Sequence, residues 1–223
     1  MSVKLFLQAI MKFLLGVLLV GALIFWPAGT FHYFNGLLLM GILFVPMFAA
    51  GIVMMVKNPN LLKSRLNAKE TQKEQSMVVK LSGLMFIAGF IVAGLGVRFG
   101  WYILPDAVVW IGTALFLAAY ILYAEVLREN TYLSRTIEVQ EGQKVIDTGL
   151  YGIVRHPMYS ATLLLFLSMP LVLGSVFAFI IFLAYPLIIV KRLKSEEAFL
   201  EKELKGYREY QQKVKYRLIP YIW

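Results

Sequence analysis

The sequence predicts an all-α integral membrane protein of about six transmembrane helices, the last two forming a helical hairpin, with a C-terminal helix outside the bilayer. Three observations carry that prediction. Of 223 residues, 60% are hydrophobic and only 16% are charged, well below the quarter usual in soluble domains. Mean hydropathy is +0.72. The charges are also segregated, gathering in loops between long apolar runs, as in a chain that crosses lipid repeatedly.

A spanning helix needs roughly 20 mostly apolar residues, and the runs near 8–26, 35–56, 77–97 and 107–127 each qualify. The first has Lys4 and Lys12 before it and superficially resembles a signal peptide. Its exit, Phe25-Trp26-Pro27, lacks a small-residue cleavage pattern, so it is read as a span. Ser160–Val190 then runs for 31 residues without a charge. That is too long for one crossing and short of the ~40 residues two would need. Leu173-Gly174-Ser175 offers a tight turn at its middle. A hairpin whose polar feet extend into the flanking segments resolves the shortfall, with Pro170 and Pro186 kinking or ending local turns. Glu138–Gly149 reads as a surface loop, and Lys191–Tyr210 as a charged helix continuing out of the last span. The chain divides into N-terminal spans, 1–127, and a core, 128–223, that holds the polar motifs.

Lysine and arginine set the orientation. Loop 57–76 carries Lys57, Lys63, Arg65, Lys69 and Lys73, and loop 128–157 carries Arg128, Arg135, Lys144 and Arg155. Lys191–Arg217 carries nine more. The opposite loops hold only Arg98, beside the interfacial aromatics Trp26, Phe31, Tyr33, Trp101 and Tyr102. Both termini and the polar motifs are therefore expected on the cytoplasmic side, in a bacterial or archaeal plasma membrane. The same distribution accounts for the net charge of +9 without nucleic acid. No cysteine is present, which excludes disulfides, a thiolate nucleophile and a cysteine-based zinc site. Two histidines, His32 and His156, are too few for a histidine-rich metal centre, and no metal is expected. His32 reads as structural, and Glu125 as a snorkelling residue at a helix end. Phosphate-cradling glycine loops, a Gly-x-Ser-x-Gly motif and midplane charges are also missing.

The polar strings flanking the hairpin are the candidate site. In Arg155-His156-Pro157 the proline pushes His156 out of helical conformation and suits the first turn of a helix. Arg155 offers a forked cation to a carboxylate or phosphate. Tyr151 and Tyr159 offer flat faces with hydroxyl tips. A cluster anchoring the helix at the headgroups is the plain alternative. Arg192 and Glu196 share a helical face at i,i+4 spacing, and Glu197 lies about 100° round. They form either an exposed ion pair of little weight or a carboxylate pair for a cationic ligand. Gly206-Tyr207-Arg-Glu-Tyr210 and Tyr216–Trp223 read as an interfacial segment or as a lid over the site.

The string Gly149–Tyr159, the Arg192…Glu196-Glu197 set and the Gly206-Tyr-x-x-Tyr210…Arg217-x-x-Pro220 tail resemble the isoprenylcysteine carboxyl methyltransferase family, related to the membrane phospholipid N-methyltransferases. The resemblance covers roughly residues 130–223. It implies S-adenosylmethionine as cofactor, held between the last two spans and their flanks. Carried over by motif, Gly149, Tyr151, Arg155, His156, Pro157, Tyr159, Glu196 and Glu197 would bind it. Gln143 would join them, standing where members often carry histidine. Arg155, His156 and Arg192 would have catalytic roles. The acidic pair would meet the cofactor's amino group and Arg155 or His156 its carboxylate. Gly152 stands where arginine is common and Ala161 where glycine is common, so the substrate is less defined than the cofactor. The implied activity is methyl transfer to a lipophilic acceptor, a carboxylate or an amine, reached from the membrane, without an obligate protein partner. A second resemblance, to NADPH-dependent membrane sterol reductases, rests on the Arg-His string and the Tyr-Arg-Leu-Ile-Pro-Tyr ending. Glu196-Glu197 favours the methyltransferase, since carboxylates suit a cationic cofactor and repel a dinucleotide phosphate. A non-catalytic membrane protein of the same fold is the remaining alternative.

Overall fold

A computed structural model describes residues 3–66, 73–101, 103–134 and 137–223. The expectations placed on Lys69, Tyr102 and Arg135 lie outside the described residues. The chain is an all-α membrane protein. Its elements are α1 (Val3–Ala28), α2 (Phe34–Lys57), α3 (Pro59–Leu66), α4 (Lys73–Arg98), α5 (Asp106–Glu129), a 3-10 turn (Gly149–Gly152), α6 (Pro157–Val172), α7 (Val176–Phe182), α8 (Ala184–Glu203) and α9 (Tyr207–Lys213).

Among the described residues, five stretches are long and apolar enough to cross a membrane: Leu5–Ala28, Phe34–Lys57, Ser76–Arg98, Asp106–Glu129 and Val176–Glu203, the last being α7 and α8 together. The remaining leg, α6, has 16 residues, roughly 24 Å at 1.5 Å per residue against a ~30 Å hydrocarbon layer. Large apolar side chains cover the outside of the bundle: Leu18, Val45, Val56, Ile121 and Leu187 are all more than two-thirds exposed. In water such a surface would aggregate; against lipid tails it costs nothing.

The hairpin forms where the sequence places it. Gly174 adopts φ +69° between α6 and α7, a region that favours glycine. The Ser175 hydroxyl accepts the Ala178 N–H and caps α7. The helix then breaks at Leu183, one turn before Pro186, whose missing N–H removes the bond that would bridge the break. Packing of the first leg against α5 relies on close approach. A Cβ on Gly112 of α5 would lie 2.7 Å from Leu171 Cβ and 3.0 Å from the Val172 backbone nitrogen of α6. Phe116, Phe182, Leu173 and Leu193 fill the core beside this contact.

Two segments depart from expectation. Loop 57–76 contains α3: Pro59 starts the helix, Asn58 Oδ1 accepts the Leu61 N–H, and Leu61 and Leu62 are buried. The charged extension of the last span does not run unbroken to Tyr210. Helix α8 stops at Glu203, and Gly206 at φ +87° turns the chain so that α9 folds back. That reversal is what brings the C-terminal segment over the feet of the hairpin.

Candidate active site

The site begins with a turn that glycine makes possible. Gly149 sits at φ +54°, and Glu129, at the end of α5, accepts the Leu150 N–H with both carboxylate oxygens, at 3.1 and 2.9 Å. A Cβ on Gly149 would fall 1.6 Å from Glu129 Oε1, so only glycine fits. The turn buries Tyr151, whose hydroxyl accepts from Asn130 Nδ2 at 2.9 Å and whose carbonyl accepts the Tyr210 hydroxyl at 2.7 Å. Burial pushes the Tyr151 and Tyr210 phenols well above their ordinary pKa, so both stay neutral.

Next in the chain, the backbone of Arg155-His156 pairs with the C-terminal segment. Arg155 N–H donates to the Tyr216 carbonyl at 2.9 Å and His156 N–H to the Arg217 carbonyl at 3.0 Å. His156 then ends the extended stretch and Pro157 opens α6. The Arg155 guanidinium is buried: Nε donates to Glu197 Oε1 at 2.7 Å, and Nη1 to the carbonyls of Val214 and Lys215 at 2.8 and 3.0 Å. His156 Nε2 lies 3.2 Å from the same Glu197 oxygen. Arg217 Nε donates to the other Glu197 oxygen at 2.8 Å and places its guanidinium over the Trp223 ring. Glu197 therefore joins both legs of the hairpin and the C-terminal segment. It is 4% exposed, and a buried carboxylate persists only with partners of this kind.

Glu196 faces elsewhere. It accepts a hydrogen bond from the Tyr159 hydroxyl, which in turn accepts from Arg192 Nε at 2.9 Å. The His156 and Tyr159 rings stack at 5.7 Å. These groups line a cavity that opens to solvent. The 137–146 loop covers one side, α8 and α9 the other. Of the sequence-derived site residues, Gln143, Tyr151, Arg155, His156, Tyr159, Arg192 and Glu196 are on its wall. Gly149, Pro157 and Glu197 are not, and act instead through the turn, the helix start and the clamp. The side-chain amide oxygen of Gln143 accepts the Gln140 N–H at 2.9 Å. Glu125 pairs with Arg128 at the surface, away from the wall.

Sequence reasoning passed over Glu129, Asn130 and the cavity face of Tyr132 and Ser134. For Glu129 a signal existed: an acidic residue in the last turn of a helix opposes the helix dipole, and such a placement calls for another reason.

Fold and site together define a membrane protein whose helical hairpin and C-terminal segment enclose a polar cavity at one end of the bundle. Residues 107–206 match the family model described as phospholipid methyltransferase, a family that includes the isoprenylcysteine carboxyl methyltransferases. The chain is also similar to the Delta(14)-sterol reductase TM7SF2 of Mus musculus, 32% identical over 91 residues, which is 40% of this chain. The match spans 22% of that relative's length.

Proposed function

We propose that this protein is an S-adenosylmethionine-dependent methyltransferase acting on a lipophilic acceptor at the cytoplasmic face of the membrane. The observation that carries the reading is the Glu196 wall: a carboxylate on the surface of a tyrosine-lined cavity, in the segment that matches the phospholipid methyltransferases. The residues present fit such a cofactor. Aromatic faces and a carboxylate suit a molecule bearing a sulfonium and an ammonium. When bound, the cofactor supplies an activated methyl group. Glu196 accepts the ammonium, while the Tyr159 hydroxyl and Arg192 hold the Glu196 carboxylate in place. Tyr151 and Tyr159 provide the apolar faces. Glu197 and Arg155 fix the hairpin feet and exclude water from beneath the site. The protein's contribution is then alignment and desolvation. A carboxylate acceptor arriving from the lipid side needs no general base; for an amine, His156 or Glu196 is placed to take the proton.

The mouse sterol reductase supports a second reading, an NADPH-dependent reductase of membrane enones. Calorimetry of the purified protein against S-adenosylhomocysteine and NADPH in parallel separates the two. Binding of the former alone supports the methyltransferase; binding of NADPH alone overturns it.

A further inference from the structure

Among the described residues, the cavity wall contains one buried side-chain polar atom without a hydrogen-bond partner. Tyr207, the first residue of α9, is 4% exposed, and its hydroxyl has no hydrogen bond among the described residues. A buried, unsatisfied hydroxyl is rare in folded proteins and calls for an explanation. Its neighbour gives the contrast. Tyr210, on the same short helix and equally buried, donates to the Tyr151 carbonyl at 2.7 Å. The two rings touch at 5.7 Å, yet only one hydroxyl is used by the fold.

Resting on the cofactor reading above, we propose that the Tyr207 hydroxyl is a ligand-binding group, donating to a neutral acceptor on the nucleoside part of the cofactor, a purine nitrogen or a ribose oxygen.

Three observations lead there. Tyr207 lines the same cavity as Glu196, His156 and Tyr151. Its surroundings keep it a donor, since burial and the nearby Glu197 and Glu196 carboxylates hold the phenol far above its ordinary pKa. Those carboxylates also disfavour an anionic acceptor beside them, which leaves a neutral oxygen or nitrogen. Val139 and Val145, from the loop before the 3-10 turn, and Leu200 of α8 pack on the cluster of Leu204, Tyr207, Tyr210 and Val214.

The test compares Tyr207→Phe with Tyr210→Phe in the full-length protein, reading thermal unfolding without ligand and the affinity for S-adenosylhomocysteine. Removing an unsatisfied hydroxyl relieves the unliganded protein, so Tyr207→Phe should keep or raise the unfolding midpoint while weakening S-adenosylhomocysteine about threefold to thirtyfold. Tyr210→Phe should lower the midpoint, because it removes a bond the fold uses. Unchanged affinity in Tyr207→Phe overturns the proposal. So does a drop in midpoint matching that of Tyr210→Phe, which would mark a structural hydroxyl. Failure of the unsubstituted protein to bind S-adenosylhomocysteine refutes the cofactor reading itself, and this proposal with it. Normal binding by the parent with unchanged Tyr207→Phe affinity refutes this proposal alone.

Discussion

Arg155 and Glu197 meet at 2.7 Å although 42 residues separate them in sequence. One stands at the foot of α6 and the other near the end of α8, so the bond closes the open end of the hairpin. Arg217 completes the clamp from the C-terminal segment. The arrangement makes Glu197 a structural carboxylate and leaves Glu196 for the cavity.

Glu197→Ala should therefore act on stability. It leaves the buried Arg155 guanidinium with two of its three acceptors and releases Arg217, and breaking a buried pair from one side costs about 3–5 kcal/mol. A clear fall in the unfolding midpoint in detergent is expected. An unchanged midpoint would remove the clamp from the account.

Glu196→Gln should act on binding. A charge-assisted bond contributes about 1.5–3 kcal/mol, so S-adenosylhomocysteine affinity should fall by roughly tenfold to a hundredfold. The midpoint should hold, because an amide oxygen still accepts from Tyr159. If NADPH is the true ligand, the same substitution leaves its affinity unchanged or improves it. Titrating both ligands against the variant decides between them.

The Gly149 turn offers a purely geometric test. Gly149→Ala drives a methyl group into Glu129 and adds about 1–2 kcal/mol for a left-handed backbone. The turn carrying Tyr151 should be lost, with S-adenosylhomocysteine binding and part of the thermal stability. Glu129→Gln, which keeps an acceptor for Leu150, should be mild by comparison. A Gly149→Ala protein that binds normally would show that the turn does not build the site.

Topology can be read by labelling, since the chain has no cysteine of its own. Lys205 and Phe31 are exposed at opposite ends of the bundle. Lys205→Cys should react with an impermeant thiol reagent only after the membrane is opened, and Phe31→Cys in intact cells. The reverse pattern would place the cavity outside the cell and end the cytoplasmic assignment.

The sequence by itself determined the membrane class, the runs that cross, the hairpin and the two polar strings at its feet. Those properties follow from composition and length, because lipid requires long apolar helices and penalises stray charge. The glycine and proline punctuation was legible for the same local reason: Gly174 turns the hairpin and Pro157 starts α6. The tertiary structure decided which member of each polar pair does what. Glu196 and Glu197 are neighbours with identical chemistry, and only the 100° between them on a helix sends one to the cavity and the other to the clamp. Arg155 has the same history: a free forked cation by sequence, but bound to Glu197 and two carbonyls once α9 folds back at Gly206. Glu129 and Asn130 came into view last, because their partners lie 21 residues away, across an irregular loop with no periodicity to read.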